Sequence, residues 1–234
     1  MTIYSLQKSA REARSRLIEE HGFTDYELGN ALASVDLIAT LLDRHLTTAE
    51  REAGHRLVAL STWQQRAAQA VISAQRSRAH RSGRWWCQAT GLAEAVGIAS
   101  VHPELPVWCL MTDADWQMGE AWSSLQLASA WHLDNLTFVT VMTGLHNGYA
   151  VAKTLPVEPL RTKLAAFGLA VYECDSGHYK TMIDGLHAAT HDQRPTAVLV
   201  SAVYGAGLDL LEEAGEALLV DDRAKQLHEL MARP

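Results

Sequence analysis

The 234 residues are 48% hydrophobic, ample for one substantial core, and the chain reads as a single α/β domain over 1–234. A formal charge of −7, from 20 Lys+Arg against 27 Asp+Glu, gives a field that repels nucleic acid and anionic membranes, so neither is an expected partner. MTIYSLQKSAREARSRL lacks the apolar segment of a signal peptide, no apolar run reaches a membrane span, and Cys87, Cys109 and Cys174 show no CxxC spacing; reduced thiols in a cytoplasmic protein are the expectation.

In chain order, Ser5 is a candidate cap for a helix with the stripe Leu6, Ala10, Ala13 and Leu17, stopped at His21 and Gly22. A second helix is predicted from about Asn30 to Leu46, burying Leu32, Val35, Ile38, Ala39 and Leu42, after which Thr47 and Glu50 offer a capping box. Arg56 to Leu60 reads as a short strand and Trp63 to Arg76 as a helix. RSRAHRSGR, residues 76–84 with four arginines, is a solvated loop or a clamp for a phosphorylated substrate or an acidic partner surface. GLAEAVGIAS, from Gly91, is a small-residue helix, and Pro103 and Pro106 mark the loop after it.

The stretch from Val107 to Gly148 organises the rest. Val107 to Met111 is a buried strand closed by Thr112 and Asp113; Met118, Trp122, Leu125, Ala128 and His132 recur at helical spacing; Leu136 to Met142 is a second strand. Such a βαβ unit runs its strands parallel, which places Asp113 and Thr143 just past two strand ends on one edge, where open α/β sheets hold ligands. The alternation continues with helices over Glu158 to Phe167 and His178 to Thr190 and strands over Leu169 to Cys174 and Thr196 to Val203. The expected fold is therefore α/β, a doubly wound, mainly parallel sheet with helices on both faces, ending in a helix over Asp221 to Ala232.

TDADWQMGEAWSSLQLASAWHLDNLTFVTVMTG resembles the diphosphate-binding half of transketolases, in which a GDG triplet opens the thiamine diphosphate motif and an EG-x-x-WE segment and an LDNL strand follow. PVEPLRTKLAAFGLAVYECDSGH and RPTAVLVSAVYGAG are similar to the family's later segments, and ASVDLIATLL and GLAEAVGIA to its earlier helices. The resemblance implies the thiamine-diphosphate-binding fold and cofactor contacts at Asp113, Thr112, Ala114, Asp115, Thr143 and Gln64. It further implies a magnesium ion on Asp113 and Thr143, since a hard cation takes oxygen ligands. No catalytic residue of this chain is assigned.

The departures from the family pattern are specific. Thr112 and Ala114 stand where the family has glycines, and Thr143 where it has an asparagine metal ligand. The family's glycine-histidine pair corresponds to Trp63 and Gln64, its early histidine to Glu27, and its glycine-rich turn to WCQATG over 86–91. Nothing corresponds to the domain that holds the cofactor's pyrimidine. The implied arrangement is a split enzyme. This chain would be its diphosphate-domain half and a separate pyrimidine-domain chain its partner, two copies of each, acting on a small sugar or keto substrate.

Each residue also has a plainer role. Asp113 can be turn chemistry, Thr143 a small polar residue before Gly144, and Asp115 and Glu120 favourable charges at a helix start. His146 and His178 are loop histidines able to meet a substrate or simply solvent. Trp116, Trp122 and Trp131 pack the crossover helix or a subunit interface. Two rival functions follow: a non-catalytic scaffold chain that has lost its cofactor, and a magnesium-dependent phosphatase built on Asp113 and Asp115, whose motif lacks its hydroxyl residue at Gln117.

Overall fold

The computed structural model describes residues 2–20, 23–45, 56–59, 61–74 and 89–220. Helix α1 (Ile3–Glu19) is capped by Thr2, whose hydroxyl accepts the Ser5 N–H at 3.2 Å, and buries the expected Leu6, Ala10, Ala13 and Leu17. Helix α2 (Asp25–Arg44) starts five residues before the predicted Asn30, because Thr24 and Glu27 form a capping box. The Glu27 N–H donates to Thr24 Oγ1 at 3.3 Å and the Thr24 N–H to Glu27 Oε2 at 2.9 Å.

Strand β1 (Arg56–Ala59), helix α3 (Thr62–Ala74), helix α4 (Ala89–Val101) and strand β2 (Val107–Thr112) follow. A 3-10 turn (Asp113–Gln117) leads into helix α5 (Gly119–Ala130) and strand β3 (Leu136–Met142). Beyond a small hairpin, β4 (Leu145–His146) and β5 (Tyr149–Ala150), lie helices α6 (Val151–Thr154) and α7 (Leu160–Ala166), strand β6 (Ala170–Asp175), helix α8 (Tyr179–Ala189), strand β7 (Thr196–Ser201) and helix α9 (Asp209–Val220). The expected stretches at Thr47–Glu50, 76–84, 86–88 and Asp221–Ala232 lie outside the described residues.

The five main strands pair in the order β1-β2-β3-β7-β6, every pair parallel, as the alternating pattern predicts. Alternate residues feed two cores. Trp108, Leu110, Val139, Val141, Val198 and Val200 face α1, α2, α3 and α8; Cys109, Met111, Phe138, Ala197 and Leu199 face α4, α5 and α7. Burial on both sides is why β2 is apolar up to its last residue and β3 is broken only by Thr137 and Thr140. Parallel strands also bring every carboxyl end to one edge, and the candidate site residues gather there.

Two further features depart from expectation. His132 drops out of the helical stripe: α5 ends before it, and it sits exposed at φ 52°. Trp116 takes the packing role of its two readings, 1% exposed with its indole N–H donated to Thr140 Oγ1 at 3.1 Å, while Trp131 is 54% exposed. The hairpin and α9 lie outside the predicted elements. Two-residue strands carry no alternation to detect, although Asn147-Gly148, at φ 49° and 78°, is a strong hairpin-turn pair.

Candidate functional site at the carboxyl edge of the sheet

Asp113 follows directly on β2 and is buried, 2% exposed. Its Oδ1 accepts the Ala114 N–H at 3.0 Å and its Oδ2 the Gly144 N–H at 2.6 Å. Gly144 reaches back because it adopts φ 73°, a left-handed conformation that costs glycine little. One carboxylate therefore joins the ends of β2 and β3. Burial pushes Asp113 up to about 7, against the pull of the two N–H donors and with the help of the neighbouring Asp115 charge.

Asp115 is turned inward. Its Oδ2 accepts the Thr112 N–H at 2.6 Å and the Thr112 hydroxyl at 2.9 Å, closing a capping box over the 3-10 turn. Burial raises its pKa; the Thr112 bonds and the charge of His146 oppose that rise. Thr112 and Ala114, the two residues at glycine positions of the resembled motif, are buried in this turn. Thr143, also buried, donates its hydroxyl to Asn30 Oδ1 at 3.2 Å, and Asn30 in turn donates from Nδ2 to the Tyr26 carbonyl at 3.0 Å.

Gln64 approaches the same edge from the first turn of α3, beyond the carboxyl end of β1. Its Oε1 accepts the Ser61 N–H at 3.2 Å and its own backbone N–H goes to Ser61 Oγ at 3.3 Å. Its Nε2 is buried with no hydrogen-bond partner among the described residues. A buried amide N–H without an acceptor costs about 1–3 kcal/mol, so such a group marks either strain or a ligand's place.

Two residues escape a reading of the sequence. Tyr26, on α2, stacks edge-on to His146 with ring centroids 6.3 Å apart. Burial raises the Tyr26 pKa, the Asn147 N–H opposes this, and the charges of Asp113 and Asp115 raise it further. Asn30 orients Thr143. Neither carries a sequence signal of its own, because each acts across a tertiary contact. His178, past β6, is on the far side of β7 from β3 and solvent-facing beside Asp175.

No group of three or more His, Cys, Asp or Glu is placed to hold a metal ion among the described residues. A cation here would rest on one carboxylate and neutral oxygens. An apolar cavity of about 470 Å³ lies close by, beside the 3-10 turn, walled by Trp116, Gln117, Trp122, Leu155, Val157 and Phe167. Among the described residues no helix is long and apolar enough to cross a membrane.

The chain is 27% identical over 126 residues to an apulose-4-phosphate transketolase subunit from Actinobacillus succinogenes, covering 52% of this chain and 46% of that protein. It is 30% identical over 131 residues to transketolase-like protein 2 from Bos taurus, covering 53% of this chain and 21% of that one. The chain is a divergent relative of the transketolases. Its fold matches a transketolase from Campylobacter jejuni with a TM-score of 0.74 over 97% of this chain and 43% of that one, at 17% identity. A transketolase from Leishmania mexicana gives 0.72 over 98% and 44%, at 14% identity. No family model matches. This transketolase-like chain thus spans less than half the length of each of these proteins.

Proposed function

We propose that the chain is the diphosphate-domain subunit of a split thiamine-diphosphate-dependent transketolase, moving a two-carbon ketol unit in the cytoplasm. The observation that carries this reading is Asp113: a buried carboxylate across the ends of β2 and β3, with backbone N–H partners and no basic side chain paired to it among the described residues. A divalent ion would relieve both its desolvation and its proximity to Asp115. One relative is by name a single subunit of a transketolase, which supports a divided enzyme.

The residues present suit the cofactor's diphosphate and its magnesium. Asp113 would anchor the ion, with the Thr143 hydroxyl, held by Asn30, as a neutral oxygen ligand. Gln64 would give a phosphate oxygen the donor that its buried Nε2 otherwise leaves unused, an amide in place of the family's imidazole. Thr112, Ala114 and Asp115 shape the turn beneath. When bound, thiamine diphosphate supplies the nucleophilic carbon that takes up the ketol unit. The chain's own contribution is to bind, orient and desolvate. The pyrimidine half of the site belongs to a partner chain, in an assembly of two copies of each, and the chain itself forms a single diphosphate-binding domain.

One observation favours the scaffold reading instead. Asp113, Asp115 and Thr143 are all hydrogen-bonded within the chain, so the edge is internally satisfied apart from Gln64. The phosphatase reading loses ground, because Asp115 is committed to Thr112. The deciding experiment is calorimetry with thiamine diphosphate and magnesium on the complex with a pyrimidine-domain chain, beside a ketol-transfer assay. Xylulose 5-phosphate, named with a Pichia stipitis transketolase of similar fold, serves as donor. Cofactor-dependent turnover by the complex and none by either chain alone is expected. An inert, non-binding complex leaves the scaffold.

A further inference from the structure

Ketol transfer, the reading on which this inference rests, needs a proton exchanged at the substrate. When the C2–C3 bond of a ketose breaks, its electron pair stays with the two-carbon unit, and the C3 hydroxyl gives up its proton to become the carbonyl of the departing aldose. The acceptor half reverses this, returning a proton to the acceptor's carbonyl oxygen. A group that holds and releases that proton must stand at the sheet edge, and imidazole is suited to it near neutral pH.

The two positions at which this chain replaces a family histidine do not provide such a group. Gln64 cannot exchange a proton, and Glu27 is committed to the Thr24 cap. Several other histidines lie elsewhere. His45 packs on Trp108 in the first core, His102 sits beside Glu104 at the end of α4, and His187 and His191 stack on each other at the end of α8. His146 is different. It follows Thr143 on the hairpin that packs against the 3-10 turn, half-buried, edge-on to Tyr26 at 6.3 Å, with Nε2 3.1 Å from Asn147 Nδ2. It is near enough to Asp115 to ease that carboxylate's burial. The Tyr26 ring of α2 and the Asn147 amide both contact the imidazole, which is thus held from two sides, close to the Asp113 and Asp115 turn.

We propose that His146 is a catalytic residue of this chain, taking the C3 hydroxyl proton of the ketol donor and returning it to the acceptor's carbonyl oxygen, with Tyr26 and Asn147 as positioning residues. It would do from the hairpin what the residues at the substituted histidine positions cannot.

The test uses the complex with the pyrimidine-domain chain, thiamine diphosphate, magnesium, xylulose 5-phosphate and an aldose phosphate acceptor. His146→Ala should lower kcat by roughly 100-fold or more, leave cofactor affinity by calorimetry unchanged, and recover part of the loss on addition of free imidazole. His146→Gln keeps the bulk and polarity of the side chain but not the proton exchange, so it should lose as much and gain nothing from imidazole. Tyr26→Phe should lose less. An active wild-type complex whose His146→Ala and His146→Gln variants turn over normally, or lose activity that imidazole does not restore to the alanine variant, overturns the role alone. A wild-type complex that moves no ketol unit overturns the functional reading and the role together.

Discussion

Two buried aspartates, one among the helices and one at the sheet edge, are handled in opposite ways. Asp36, in the helical layer, is paired with the Arg14 guanidinium of α1 and accepts the Tyr179 hydroxyl of α8, so three helices share one neutralised charge. Burial first, and the Asp36 charge second, raise the Tyr179 pKa and keep its proton in that bond. Asp113, at the sheet edge, has two backbone N–H donors, a second carboxylate for a neighbour and no paired basic side chain among the described residues. A charge buried for structure is matched within the chain, because leaving it unmatched costs several kcal/mol. Asp113 instead keeps backbone donors alone at the carboxyl end of a parallel strand, the place at which the proposed cation would bind.

The contrast can be broken by mutation and by pH. The largest effect is expected from Arg14→Ala, which leaves Asp36 with Tyr179 alone; unfolding in urea should show a loss of about 3–5 kcal/mol. Asp113 should act through pH. Its folded-state pKa of about 7 lies above the ordinary 3.8, so the folded chain holds a proton that the unfolded chain releases between these values. Stability is then greatest near pH 4 and falls as pH rises through 7, by about 4 kcal/mol at most. Asp113→Asn should flatten that fall in denaturation midpoints measured from pH 4.5 to about 8. If wild type and variant have parallel pH profiles, Asp113 is not the unmatched charge described here.

Smaller effects sharpen the same distinction between structure and site. A methyl group added at Gly29 would meet the Tyr204 ring at 2.1 Å, where the turn after β7 is clasped to α2 by the Gly205 N–H to Gly29 carbonyl bond of 2.9 Å. Gly29→Ala should cost about 1–3 kcal/mol by overpacking, seen as a lowered thermal midpoint. Trp131→Ala should change stability by less than about 0.5 kcal/mol, since the ring is 54% exposed. Its effect, if this ring meets the partner, is weaker assembly in light scattering; unchanged assembly removes Trp131 from the interface.

Much of this is legible in residues. The apolar run Val107–Met111 and the mainly apolar Leu136–Met142 announce strands buried on both faces, and their lengths agree with β2 and β3 to within one residue at either end. Asp113 is marked by its place just past a strand. The Thr24–Glu27 box and the Asn147-Gly148 turn are local patterns too, although both fall outside the elements that periodicity predicts. The family resemblance adds the order of motifs, and the relatives and fold agree with it.

Periodicity and capping are short-range: a strand's burial, a helix's stripe and a turn's left-handed residues depend on neighbours a few positions away, so the sequence alone determined the parallel α/β order and the edge where a ligand would sit. Partnership is long-range. Thr143 meets Asn30 across 113 positions and Tyr179 meets Asp36 across 143, while Tyr26 faces His146 from another element, and no local pattern encodes such distances. Only the tertiary structure decided which carboxylate is matched and which is left open, because solvation and charge pairing depend on what packs around a group rather than on what precedes it.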